Sequence, residues 1–348
     1  MKAKSARAVA AIVGPALVLA LAVVVSVGSG AMSIDVSSTL SALMEGLQGR
    51  GASLVGAEAI VWNLRAPRVL MAMVVGASLG SSGAAMQGFF RNPLADPYVL
   101  GVAGGASFGA TVAMTVGGRL SEGFAAGPFA SGGAPGWVPV FAFVGAAGAV
   151  MAVMVLSRAG TRSRTTSMLL AGIVVGSILL SVNECLLLLD ADRLRAVFSW
   201  SLGNLSLASW SDVARSTPYA TAGMALLFVL ARGMDAMALG DDTARTLGID
   251  TRRLRAGVIV GASLATAATV AYVGAIGFVG LVAPHVMRRL GPPGHRVLIP
   301  ASALAGAVLL VVADLGARTV IRPSELPVGI VTTLAGGPFF LWLLRRES

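Results

Sequence analysis

Five groups of polar residues interrupt an otherwise apolar chain, and their spacing limits what each can do. Arg65 and Arg68 are three apart, so on a helix they project from nearly one face,. Two guanidinium forks at that spacing can hold carboxylates bidentately. Asp314 and Arg318 are four apart and can meet as an ion pair on one helix,. An acid so deep in an apolar run needs such a partner, so a structural pair is expected there rather than proton coupling. A polar stretch at 235–254 carries Leu239, Gly240, Asp241, Ala244, Arg245, Leu247 and Gly248. Its bounding glycines predict two short helices with a turn between them, with Asp241 or Asp242 capping the first turn. Thr165, Thr166 and Ser167 open another apolar run, where short hydroxyls either cap a helix or narrow a pore without adding charge. Asn183 and Glu184 lie toward the far end of that run. Gly172, Gly176 and Asn183 share a helix face, which makes them candidates for lining a pathway. Glu184 has a second reading, as an interfacial residue beside Arg193 or Arg195.

None of these groups pairs a nucleophile with a base. His285 and His295 are the only histidines and Cys185 the only cysteine, so neither a metal centre nor a disulfide is expected,. No phosphate-binding loop, His-Glu-x-x-His or Gly-x-Ser-x-Gly pattern occurs. The chemistry on offer is recognition and ion pairing, and the chain is not expected to be an enzyme or to bind ATP.

The elements that carry these residues follow from composition. Of 348 residues, 56% are apolar and 12% charged, against about 25% charged in a soluble domain. That excludes a soluble enzyme, a disordered regulator and a disulfide scaffold, and predicts an all-α, polytopic membrane protein forming one domain over 1–348. Apolar runs fall at about 8–30, 66–88, 98–117, 137–157, 166–190, 212–232, 255–290, 297–318 and 327–345. The first follows Lys2, Lys4 and Arg7 but is longer than a signal-peptide core, so it reads as a span. The seventh is too long for one crossing of a core about 30 Å thick. Arginines flank both its ends, and Gly274 and Gly277 supply a break, which makes about ten spans,.

Charge gives the orientation. With both termini cytoplasmic, 17 of the 26 Lys and Arg residues lie inside,. The net charge of +10 is therefore topological. It shows no basic stripe with interleaved aromatics, so nucleic acid is not an expected partner. Gly76 with Gly80, and Gly172 with Gly176, are small-residue pairs suited to helix packing in lipid. The Gly- and Pro-rich stretch 117–139 reads as an outer, periplasmic loop.

Four segments in order carry a resemblance. They are Arg65-Ala-Pro-Arg68 through Gln87 to Arg91-Asn-Pro-Leu-Ala-Asp-Pro97; Leu239-Gly-Asp-Asp-Thr-Ala-Arg-Thr-Leu-Gly248; Gly277-Phe-Val-Gly-Leu-Val-Ala-Pro-His-Val-Met-Arg288; and Ala313-Asp-Leu-Gly-Ala-Arg318 leading to Glu325-Leu-Pro-Val-Gly-Ile330 and Gly336-Gly-Pro-Phe339. Together they resemble the FecCD, or cobalamin-permease, type of ABC importer subunit, which serves ferric siderophores, haem and cobalamin. The resemblance implies a ten-helix permease in the cell inner membrane, dimeric with a second permease subunit. It further implies two cytoplasmic ATPase subunits holding ATP and Mg, and a periplasmic or lipid-anchored binding protein that delivers substrate. It also implies that Arg65, Arg68 and Arg318 receive acids of the binding protein, although arginines at span ends also snorkel. The 235–254 stretch would then be the loop that couples to the ATPase, and Thr165 and Thr166 a cytoplasmic gate. Ferric siderophore is the expected substrate. The rival reading, an ion-coupled secondary transporter, needs ionisable groups at the bilayer midplane, whereas the acids here lie near span ends.

Overall fold

The computed structural model describes residues 2–30, 34–124, 137–157, 164–189, 194–291, 294–321 and 324–347. Among them every regular element is helical. Ten helices stand at the ten expected positions: α1 (Lys2–Gly28), α2 (Ala66–Phe90), α3 (Val102–Phe124), α4 (Trp137–Leu156), α5 (Arg164–Leu189), α6 (Trp210–Ala238), α7 (Thr251–Val273), α8 (Val279–Leu290), α9 (His295–Thr319) and α10 (Val328–Glu347). Seven of them (α1, α2, α4, α5, α6, α7 and α9) are long and apolar enough to cross a membrane. The apolar parts of α3 and α10 are shorter, at Val102–Thr115 and Val328–Trp342. Helix α8 has 12 residues, about 18 Å, and reaches only part of the way through a core of about 30 Å. Most of the stretch expected as an outer loop at 117–139 lies outside the described residues.

Helix α2 is the centre of the bundle and packs against α6, α7, α8 and α9. Glycine makes this possible. A Cβ added at Gly76 would lie 2.3 Å from the Gly306 carbonyl oxygen, one at Gly80 2.1 Å from that of Ser302, and one at Gly83 1.9 Å from that of Gly280. These are backbone-to-backbone contacts. Lipid gives no hydrophobic drive for helices to associate, so close approach supplies the attraction instead. The second predicted glycine pair serves the same end. Gly172 faces the Val99 carbonyl, and Gly176 faces Gly104 of α3.

The seventh apolar run breaks where expected, but by other means. Gly274 is left-handed at φ 75°, and the second left-handed residue is Phe278 at φ 68°, not Gly277. A bulky residue in that conformation is strained and needs its surroundings to hold it. Phe278 packs against Gly336 of α10, where a Cβ would come within 2.4 Å of it. Between the two residues, Ile276 donates its N–H to the Tyr98 hydroxyl at 3.1 Å and accepts the hydroxyl proton at its carbonyl, 3.2 Å away. One phenol thus satisfies both backbone groups at a point where the helix is open, as irregular backbone within a bilayer requires.

Substitution of Gly76 or Gly306 by valine is expected to destabilise the protein by about 1–3 kcal/mol through overpacking. A fluorescence-monitored thermal unfolding series in detergent should show the loss, whereas Gly148→Val, in open space, should leave the midpoint in place.

Candidate functional site

The expected arginines meet at one end of the bundle. A π-helical segment, Val61–Arg65, runs into α2, and Pro67 lies in the first turn of α2,. Arg68 donates Nε to Asp314 Oδ1 at 2.9 Å and Nη1 to Glu325 Oε2 at 2.6 Å. Arg318 Nε lies 3.0 Å from Asp314 Oδ2, so the expected Asp314–Arg318 pair is present. Asp314 is fully buried. It sits between two guanidiniums from different helices, the geometry that offsets the cost of burying a carboxylate.

The remaining donors go to α1. Arg65 Nη1 reaches the carbonyls of Val27 and Gly28 at 3.1 and 2.9 Å. Arg318 Nη1 and Nη2 reach those of Ser29 and Ser26, each at 3.1 Å, and Nη2 also binds Ser26 Oγ. The last carbonyls of a helix lack partners and carry the negative end of its dipole, so two cations close α1. The three arginines are only 7%, 7% and 3% exposed. They are not snorkelling side chains, and neither are they spread on the surface for a partner. Reversing the charge of Arg68 would set it against both Asp314 and Glu325. The 36% exposed Glu325 side chain is the water-facing member of the cluster. Its role was not readable from sequence, because it lies 257 residues from Arg68.

At the other end of the bundle, the 235–254 stretch forms one short helix, Asp241–Thr246, not two, because α6 continues to Ala238 and α7 begins at Thr251. Gly240 precedes it at φ 126° and Gly248 follows at φ 79°, both beyond easy reach of other residues,. Asp241 does not cap this helix. Its carboxylate bridges Arg91, at the end of α2, at 3.1 Å, and Arg255 of α7. Arg91 is itself left-handed, closes α2, and also binds the Met237 carbonyl. Asp250 caps the next helix, α7, by accepting the N–H groups of Arg252 and Arg253 at 3.0 Å each. The Arg253 amide, helped by the Arg252 amide and both arginine charges, holds its carboxyl below the usual aspartate range. The contribution of that cap is therefore full above the ordinary aspartate pKa and is lost as pH falls through the lowered native value. Ala244 is fully buried, while Leu239 and Leu247 are 73% and 63% exposed. Arg245 is exposed and reaches Asp242 at 3.7 Å. A further link, from Asp235 near the end of α6 to His295 at the start of α9, joins carboxylate to backbone N–H at 2.7 Å and to ring Nδ1 at 2.6 Å.

The candidates on α5 separate. Asn183 is buried and accepts a hydrogen bond from Thr111 of α3. Gly172 and Gly176 also face α3 and the segment before it. The shared face expected to line a pathway is thus a helix–helix contact. Thr166 and Glu184 are exposed and Ser167 is half-buried. The Thr165, Arg193 and Arg195 side chains lie outside the described residues.

Residues 18–346 match the model of the FecCD transport family. The chain belongs to that family. Among curated FecCD relatives, the cobalamin import system permease of Halobacterium salinarum is 37% identical over 84% of this chain and 75% of its own. The hemin transport system permease of Yersinia pestis is 36% identical over 82% and 84%. A solved metal-chelate type ABC transporter in an inward-facing conformation superposes with a TM-score of 0.80 at 26% identity, covering 96% of this chain and 98% of its own. The chain is thus a multi-pass ABC permease of the FecCD type, a transport subunit and not an enzyme.

Asp314→Asn is expected to cost about 3–5 kcal/mol, because it leaves Arg68 and Arg318 buried against a neutral amide. Glu325→Gln, at the half-open edge, should cost about 1 kcal/mol or less. Chemical or thermal unfolding of the two purified variants compares them directly, and equal losses would contradict Asp314 as the hub.

Proposed function

We propose that this chain forms, with a second permease subunit in a homodimer, the membrane pathway of an importer for an iron chelate. The preferred cargo is a ferric siderophore, with haem and cobalamin as the neighbouring choices. Two cytoplasmic ATPase subunits supply the driving force and hold ATP and Mg. A binding protein delivers the cargo to the opposite face, and both termini lie on the ATPase side of the cell inner membrane. The observation that carries this reading is the Asp241–Thr246 helix. It is a polar helix outside the apolar spans, fixed to α2 and α7 through Asp241, with the large apolar side chains Leu239 and Leu247 turned to solvent. Exposed apolar residues on a polar rim mark a protein contact. Thr165, Thr166 and Ser167 at the same end of α5 form the gate in this reading, and Glu184 the exposed acid at its other end.

Co-reconstitution in vesicles with the cognate ATPase and binding protein tests the proposal. Ferric siderophore uptake should require ATP hydrolysis. Uptake that follows an ion gradient without hydrolysis would establish the rival secondary transporter instead. In the same vesicles, Gly248→Trp should cut uptake on the order of 10-fold while hydrolysis continues. Transport at the wild-type rate in that variant would remove the coupling role.

Docking of the binding protein, on this reading, requires a partner carboxylate to replace Glu325 on Arg68 Nη1. Glu325→Gln should then tighten binding-protein affinity about two- to five-fold at low salt. An affinity insensitive to both the substitution and salt would place docking elsewhere.

A further inference from the structure

A groove of about 710 Å³ runs between α1, α8, α9 and α10. Its walls are apolar save for Thr332, with Gly14 and Val18 from α1, Val286 from α8, Val308 from α9 and Phe339 from α10. At one end it reaches Phe278, the left-handed residue that starts α8. At the other it ends between Ala10 and Leu290. There the backbones of α1 and α8 draw together, since a Cβ on Gly291 would lie 3.1 Å from that of Ala11.

Two arginines continue the lining faces past this end. On α1, Arg7 is three, four and seven residues before Ala10, Ala11 and Gly14, so it belongs to the same face,. On α8, Arg289 is three and seven residues after Val286 and Val282,. Both arginines are exposed. The groove is therefore an apolar slot inside the bilayer with two cations at its mouth, at the end of the bundle that carries the Asp241–Thr246 helix.

We propose that this slot holds one acyl chain of an anionic phospholipid, drawn from the leaflet on the side of that helix, with its phosphate between Arg7 and Arg289. An empty slot would forfeit dispersion contacts along its whole lining. A chain of methylenes restores them without adding a polar group to the hydrocarbon. Since lipid tails are as apolar as the groove walls, the tail provides fit and the arginines provide selectivity. A second copy of the protein seated here about a two-fold axis would bring a second Arg7 and Arg289 to the same level, and like charges oppose that. The occupied slot would also lie against Phe278.

Native mass spectrometry of the purified full-length protein, with phosphatidylglycerol and phosphatidylcholine of identical chains as probes, tests the site. The wild-type protein should retain phosphatidylglycerol in preference. Arg7→Gln and Arg289→Gln should each weaken its retention about five-fold, and together about 25-fold, with phosphatidylcholine unaffected. Val308→Trp, which fills the slot, should release both lipids. Equal retention of the two lipids by wild type, or undiminished phosphatidylglycerol on the double glutamine variant, would overturn the proposal. So would a Val308→Trp protein that changes its oligomeric mass while keeping its lipid, because that outcome assigns the slot to a second copy. Both arginines are exposed, so their variants decide the question even if Val308→Trp does not fold.

Discussion

Inside hydrocarbon a helix gains nothing by hiding leucine from its surroundings, and this constraint shapes the whole bundle. Attraction must come from backbone meeting backbone, which is why the most buried helix, α2, is lined with Gly76, Gly80 and Gly83. The same constraint requires every opened backbone group to find a partner within the protein. Tyr98 meets that need at the break before α8, and Arg65 with Arg318 meets it at the end of α1.

The two charged clusters share a plan and differ in depth. Each sets one carboxylate between arginines from two helices, Asp314 with Arg68 and Arg318, and Asp241 with Arg91 and Arg255. Asp314 has no exposed surface, whereas the Asp241 side chain is 31% exposed. Water therefore competes for the second and not for the first. A buried pair of this kind is costly to open, and a wet one exchanges cheaply. The deep cluster suits a fixed joint, and the shallow one suits a contact that is made and remade.

Much of this was legible in the chain. Hydropathy and the placement of arginines gave ten helix positions and the division of the seventh run, because both depend on local composition. The Asp314–Arg318 pair was legible because four residues is one turn. Contacts between distant segments were not. Nothing near Arg68 points to Glu325, and nothing near Arg91 points to Asp241 and Arg255. Asn183 was misread because helical spacing shows which residues share a face but not what that face meets. The extra helix expected at 235–254 failed for a related reason: the glycines marked real turns, but α6 and α7 extend past their apolar runs and absorb the flanking residues.

Arg68 and Arg91 stand at opposite ends of α2, which is 25 residues long, about 37 Å. Packed on several sides, with no proline beyond its first turn, that helix runs unbroken from one cluster to the other. A displacement of Asp241 that keeps its grip on Arg91 is carried along the helix, is taken up by a bend between Gly80 and Gly83, or breaks one of the two grips,. The chain thus joins its two charged clusters through a single helix, and the stroke available at one is bounded by the slack at the other and the give between them.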